Sequence, residues 1–445
     1  MKSLEALGGA GGEVTGSAYL LTTNKDEKLL IDCGAFQSGK GIGGDSRNGS
    51  LSGHDPKDIH FVVLTHAHAD HIGRLPFFYE SDAKIYATHA TRDLAKKALE
   101  NSQKLSPSLY PNGSVKNVIE RIDCVPYDTE FPIDGSVGMF RYAGHIAGST
   151  ILEVKEKGGD KIVFSGDLGP NNHRIMKPRT SIKDADIVVM ETTYGDRNRP
   201  EEDLVEVLRE AVERTKKNRG TLLIPTFAID RTQIVLNILR GLKKTLGNMP
   251  VFLDSPMAID VTKIYQDYHQ LFNDELRGQK NPFGFEGLTK TYGGKESMAI
   301  KHGGPKIIIA GSGMMSGGRI IGHAIEYLPD SKNVILFTGY AAEGTPSRAI
   351  TDGEKDVEVD NEPVHVEATV LRTSALSAHA DQGQLLKWLG DINGGQKRLR
   401  KVILIHGNDN SREGFAKQVT SQLGIEKERI VLPAQNEPID LFKND

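Results

Sequence analysis

Residues 65–71 read Thr-His-Ala-His-Ala-Asp-His, directly after the apolar run IHFVVL. Three of the chain's fourteen histidines and an aspartate fall in this one loop. If the chain leaves a strand extended, His66 and His68 project to the same side. A tightening turn then returns Asp70 and His71 toward them. Imidazoles and a carboxylate so placed suit Zn²⁺ or a similar divalent cation. The four groups can hold one ion, or be shared between two. A chance polar loop accounts poorly for such a spacing of ligand-type residues.

Other candidates stand just past apolar runs: Asp32 in LLIDCG, His145 in RYAGHIAGST, Asp167 in VFSGDLGP, His379 in SALSAHAD and His406 in VILIHG. Taken singly, each such residue is more often a turn former or a satisfied surface group. The end of a buried strand is also where sheet proteins place functional groups. The histidines at 54, 60, 89, 173, 269, 302, 323 and 365 lack this setting and read as structural.

The elements that must position these residues fall into three zones. Residues 1–195 alternate short apolar runs with Gly-rich or His/Asp-rich turns. SAYLLTT, KLLIDCG, HFVVLTH, KIYATHA, TILEVKE, KIVFSGD and DIVVMET read as strands, and RDLAKKALENSQK as a helix. Residues 196–368 change rhythm. TLLIP, VFLD, PKIIIAGSG and NVILFTG are fully apolar, and most lead through a turn to a helical pattern, as expected of β-α units on a parallel sheet. Residues 369–445 return to the first texture. There EATVLRTSALSAHAD reads as a strand ending at His379 and Asp381, and KVILIHG as one ending at His406. The predicted plan is one α/β domain in two pieces, 1–195 and 369–445, with a parallel-sheet domain, 196–368, inserted between them.

As a set, His66-x-His68-x-Asp70-His71, His145 and Asp167, with Asp32 upstream, resemble the motifs of the metallo-β-lactamase superfamily. Glu191 in VVMETTYGDR, with His379 and His406, resembles the additional motifs of its β-CASP branch. That branch includes the endonuclease of eukaryotic pre-mRNA 3′-end processing and its bacterial and archaeal relatives. The resemblance covers nearly the whole chain. It implies an αββα metallo-β-lactamase sandwich with an inserted parallel-sheet α/β β-CASP domain, and two zinc ions between the sheets. One zinc would take His66, His68 and His145. The other would take Asp70, His71 and His406, with Asp167 bridging; the donors do not exclude manganese. A water between two such ions would be acidic enough to exist as hydroxide near pH 7 and attack a phosphodiester.

The same resemblance gives Asp70 a role in orienting that water. It gives Asp32 a role in holding a ligand histidine in its tautomer, and His379 contact with the scissile phosphate and proton donation to the leaving oxygen. Glu191 would orient His379 and keep it protonated. Histidine at position 406 favours RNA over DNA as substrate. Glycine-rich strand ends at helix N-termini suit phosphate contacts, making Arg231, Ser255, Ser312, Gly313 and Arg319 the RNA-binding candidates. GSGMMSGGR lacks the Lys-Ser/Thr of a P-loop. With no KH-like module before the first zone, and the chain ending soon after His406, the expected form is a compact two-domain ribonuclease without RNase J's additional C-terminal domain.

Composition bounds the rest. A net charge of −4 excludes a globally basic nucleic-acid binder but leaves room for a local basic cleft. The two cysteines, Cys33 and Cys124, provide no disulfide framework, and no window has the length of a membrane span. A cytoplasmic enzyme acting on single-stranded RNA is expected, with a homodimer an option that relatives often take. The competing readings are a DNA-acting nuclease of the branch, a small-molecule hydrolase of the superfamily, and a metal-free RNA-binding scaffold.

Overall fold

The computed structural model describes residues 1–37, 42–133, 135–157, 159–200, 202–339, 341–373, 376–394 and 399–441. Ser374 and Ala375, within the SALSAHAD stretch, lie outside the described residues. The chain divides into two compact units. One holds the chain's beginning, Ile42–Asn198 and Ala378–Asp445, and the other holds Arg199–Ser377.

The first unit contains two seven-stranded sheets. One runs in the order Pro438–Asp440, Ser3–Gly8, Ala18–Thr22, Lys28–Ile31, Phe61–Val63, Lys84–Ala87 and Ile122–Cys124. The other runs Ile430–Val431, Lys401–Ile405, Ile187–Glu191, Lys161–Phe164, Thr150–Glu156, Ser136–Tyr142 and Glu130–Ile133. Their inner faces share one core, with Leu21, Leu29, Ile31 and Val63 from the first sheet meeting Phe140, Leu152, Phe164 and Val189 from the second. Each such side chain contributes about 1.5–3 kcal/mol when fully buried. On the outer face of the second sheet, Val188, Met190, Val402 and Leu404 pack with Leu385, Trp388 and Leu389 of helix Gln382–Asn393 and Phe415 of helix Asp409–Leu423. Helix His89–Leu105 contacts Ile122–Cys124 on the first sheet. The layers are therefore helix, sheet, sheet, helix.

Parallel pairing decides where the functional ends emerge. Lys28–Ile31 runs parallel to Phe61–Val63 with Ile31 opposite Val63, so Asp32 and Thr65 leave the first sheet side by side. In the second sheet, Lys161–Phe164, Ile187–Glu191 and Lys401–Ile405 are parallel neighbours, with Glu191 opposite Ile405. Asp167, Glu191 and His406 therefore reach one edge. Side chains alternate across a strand. Glu191 consequently lies on the side of Ile187 and Val189, which face the core between the sheets.

The second unit is built on a six-stranded sheet in the order Leu288–Lys290, Val251–Leu253, Lys306–Ala310, Thr221–Pro225, Val334–Phe337 and Thr369–Arg372. Every pairing in it is parallel. Helices Leu204–Asn218, Arg231–Gly241, Pro256–Asp267 and Ile320–Tyr327 alternate with these strands. One expectation differs from the structure. EATVLRTSALSAHAD is not a single strand ending at His379. The strand is Thr369–Arg372 on the inserted sheet, and His379 sits in irregular backbone beyond it, in the other unit. An apolar-polar alternation does not report where a chain leaves one sheet for another domain.

Candidate metal centre and active site

His66, His68, His145 and Asp167 place donor atoms within 4.8 Å of one another, and so do Asp70, His71 and His406. The two groups meet at Asp167. Its Oδ2 lies 3.4 Å from His66 Nε2 and 3.6 Å from His145 Nε2. Its Oδ1 lies 3.4 Å from His71 Nε2 and 3.5 Å from His406 Nε2. His68 Nδ1 is 3.1 Å from both His66 Nε2 and His145 Nε2. Nitrogens bound about 2.0–2.1 Å from a tetrahedral ion sit about 3.3–3.4 Å apart, close to this spacing.

The partners of the outer ring nitrogens set the tautomers. Thr65 N donates to Asp32 Oδ1 and Thr65 Oγ1 to Asp32 Oδ2, both at 2.7 Å. With its proton committed, the Thr65 hydroxyl accepts from His66 Nδ1 at 3.1 Å. Asp32 Oδ2 also accepts from His71 Nδ1 at 2.8 Å, and the Ala378 carbonyl accepts from His145 Nδ1 at 2.8 Å. Ser17 Oγ is 2.9 Å from His406 Nδ1. The Thr65, Asp32 and Ala378 acceptors each leave the Nε2 lone pair of their ring facing inward, as metal-binding histidines require. His71 Nε2 and Asp167 Oδ1 are buried without a hydrogen-bond partner. Two acceptors facing each other inside a protein are costly; either a proton on His71 or a cation between them removes that cost. The donor set therefore fits divalent metal.

Burial holds the rings of His66 and His145 far below the usual histidine range and pulls His68 down to about 4. His71 goes the other way: burial opposes protonation, but Asp167 and Asp32 together outweigh it. For Asp167, burial is likewise outweighed, here by His406, His71 and His66, and the carboxylate stays ionised.

His379, like His68 and Asp70, is partly exposed, with 16% of its side chain accessible. Its Nδ1 lies 3.2 Å from Glu191 Oε2 and 3.9 Å from Asp167 Oδ2. Burial lowers its proton affinity, but Glu191 and Asp167 raise it by more, so the net shift is upward. Glu191 is itself fixed, accepting from Leu168 N at 2.6 Å and Thr193 N at 3.3 Å.

Two glycines permit the close approach of loops. A Cβ at Gly34 would lie 1.6 Å from the Asp70 carbonyl oxygen, and one at Gly169 would lie 1.7 Å from that of Gly144. Asp32 and His406 have φ of 61° and 48°, left-handed conformations in which Asp and His are enriched among non-glycine residues.

The five RNA-contact candidates lie in the second unit. Arg231 stacks over Phe227 at 4.9 Å. Ser255 caps helix Pro256–Asp267. Ser312 Oγ accepts from Ser316 N, and the Gly313 carbonyl accepts from Ser347 Oγ. Arg319 donates to Asp254 and to the carbonyls of Thr291 and Tyr292. His323, read as structural, donates to buried Asp254 at 2.7 Å. Thr65, Ser17 and the Ala378 carbonyl are not among the groups the sequence singles out, because hydroxyls and backbone atoms do not stand out beside metal-ligand types.

The sequence matches the metallo-beta-lactamase superfamily over residues 11–226, the Beta-Casp domain over 232–350 and the Zn-dependent metallo-hydrolase RNA specificity domain over 363–433. It is 36% identical over 412 residues to Ribonuclease TTHA0252 of Thermus thermophilus, spanning 90% of this chain and 92% of that protein. It is 29% identical over 430 residues to an RNase J-like protein of Methanocaldococcus jannaschii, spanning 93% and 95%. Transcription termination factor FttA of the same organism is 28% identical over 92% of this chain and 68% of its own. A crystal structure of an Enterococcus faecalis V583 protein aligns over 99% of this chain and all of that one, with a TM-score of 0.58 at 13% identity. That last likeness concerns the fold alone.

Proposed function

Because this chain belongs to the β-CASP ribonucleases of the metallo-β-lactamase superfamily, which are metal-dependent hydrolases, we propose that it hydrolyses single-stranded RNA at a two-metal centre of the zinc type. His66, His68 and His145 would hold one ion and Asp70, His71 and His406 the other, with Asp167 shared. The observation that carries this reading is Asp167, whose two oxygens face separate sets of imidazoles. Once bound, such a pair of ions supplies Lewis acidity and an activated water. Asp32 and Thr65 keep His71 and His66 in their inward-facing tautomers, and Ser17 does so for His406. His379 is held protonated by Glu191. It is the group that touches the scissile phosphate and passes its proton to the leaving oxygen.

Among the described residues no helix is long and apolar enough to cross a membrane. Burial pushes the Cys33 thiol up to about 12, which disfavours its thiolate near pH 7.

The test is cleavage of a 5′-labelled single-stranded RNA of about 30 nucleotides and its DNA counterpart, with metal content measured on the same protein. The reading requires about two metals per chain, the number the proposed ligand set would hold, and faster cutting of RNA. Equal or faster DNA cutting would overturn the substrate assignment. Fewer than one metal per chain would revive the scaffold reading.

A further inference from the structure

On the second unit lies a cleft of about 630 Å³ lined by Arg240, Lys243, Gln279, Lys280, Gly284 and Phe285, with Asn281 between. Among the described residues, three cations line it and no carboxylate does. The cleft is built rather than incidental. Arg240 lies in the last turn of helix Arg231–Gly241 and donates to Gln279 Oε1 at 2.6 Å, which fixes its guanidinium. Asn237 of the same helix donates to the Pro282 carbonyl at 3.2 Å, tying helix to loop. Phe283 anchors the loop by packing against Phe272 and Tyr265 at ring distances of 5.7 and 6.4 Å. Phe285, two residues on, is left half-buried at the cleft wall. Lys243 and Lys280 are exposed.

Cations near a helix C-terminus are favourable for the dipole alone. That explains Arg240 but not Lys280, which is on no helix. Cations and an aromatic side chain lining one cleft match how single-stranded nucleic acid is held: phosphates on the charges, a base on the ring. Asn281, whose amide oxygen accepts from Gln266, adds an amide nitrogen that can meet a base edge.

We infer that this cleft is a second contact for single-stranded RNA, with Arg240, Lys243 and Lys280 taking phosphates and Phe285 stacking a base. The inference rests on the ribonuclease reading for the identity of its ligand. None of these residues belongs to the candidate metal centre, so the cleft affects how strongly RNA is held, not the bond-breaking step.

The experiment measures anisotropy of a 5′-fluorescein single-stranded RNA of about 30 nucleotides bound to the metal-loaded chain, in the His379→Ala background with RNA integrity checked on a gel. Pyrophosphate binding is measured in parallel. Lys243→Ala/Lys280→Ala removes two exposed side chains and leaves the fold intact. It is expected to weaken binding about tenfold. It should also lower the slope of log affinity against log salt by about 1.4, or about 0.7 for each phosphate no longer neutralised. Phe285→Ala is expected to weaken binding about fivefold or more without changing that slope. Unchanged affinity and slope in the double variant would overturn the inference. So would loss of pyrophosphate binding with RNA affinity retained, which would mark a small-anion site. RNA bound as predicted but never cut would sink the ribonuclease reading and leave the cleft standing. Normal cutting with unchanged affinity would do the reverse.

Discussion

Asp32 and Thr65 are joined twice, backbone N–H to Oδ1 and hydroxyl to Oδ2, each at 2.7 Å. The second bond spends the threonine's only proton, so the hydroxyl receives the Nδ1 proton of His66. Asp32 thus acts on two candidate ligands, His71 directly and His66 through Thr65. Thr65→Val removes the acceptor while keeping the shape. Metal affinity is expected to fall about 10- to 100-fold, as for other partners of metal-ligating histidines, with Thr65→Ser restoring it. Competition against a chelator, followed by metal analysis, measures this.

His379→Ala should lower the rate constant for RNA cleavage by about 10²- to 10⁴-fold, the usual contribution of a positioned proton donor. Metal content should stay at the wild-type level, because His379 is not among the proposed ligands. A mutant that cuts at the wild-type rate would remove His379 from the reaction.

The upward shift of His379 gives a sign to the pH profile. Glu191 and Asp167 together overcome burial to favour its protonated form, so activity is expected to fall as pH rises through the raised value. Glu191→Gln takes away one charge and should move this basic limb to lower pH. By linkage, the protonated ring contributes stability that is complete below its unfolded pKa of about 6.5. That contribution fades as pH climbs through the folded value.

Metal occupancy should have the opposite dependence. Asp167 and Asp32 favour a proton on His71 despite its burial, and a cation must compete with that proton. Occupancy is expected to drop as pH falls through the raised value of His71 and to recover on return. Equilibrium dialysis across pH, followed by metal analysis, reads it.

Gly34→Ala tests the close approach of the loop behind Asp70. The added Cβ would meet a backbone oxygen at 1.6 Å, which cannot rotate away as a side chain would. A loss of about 1–3 kcal/mol in unfolding free energy is expected from such overpacking, accompanied by weaker metal binding, since Asp70 must shift. Denaturant melts with and without chelator separate the two effects.

Much of the fold was legible in the sequence. The short apolar runs before Asp32, Thr65, Asp167, Thr192 and His406 are strands because aliphatic and β-branched side chains fit a buried pleat. The inserted parallel sheet was legible in TLLIP, VFLD, KIIIA and VILF, which are apolar on both faces as a covered sheet requires. The exit of the chain from that sheet was not. Thr369–Arg372 continues into the segment carrying His379 with no break in texture, and pairing with Val334–Phe337, not composition, assigns the strand to its unit.

By itself, the sequence determined which donors exist, and it forced four of them together, because His66, His68, Asp70 and His71 are too close in the chain to separate. It could not decide which atom of each faces inward. That depends on Thr65, Asp32, Ser17 and the Ala378 carbonyl: Asp32 reaches Thr65 and His71 only once strands Lys28–Ile31 and Phe61–Val63 have paired, and Ser17 reaches His406 only once the two sheets have packed. Tertiary structure also turned Asp167 so that each oxygen meets a different set of rings. It gathered Arg240, Lys243 and Lys280 from separate segments into one cleft. A hydrogen bond or a charge cluster is a relation in space, and residues tens of positions apart acquire one only when the backbone between them is fixed.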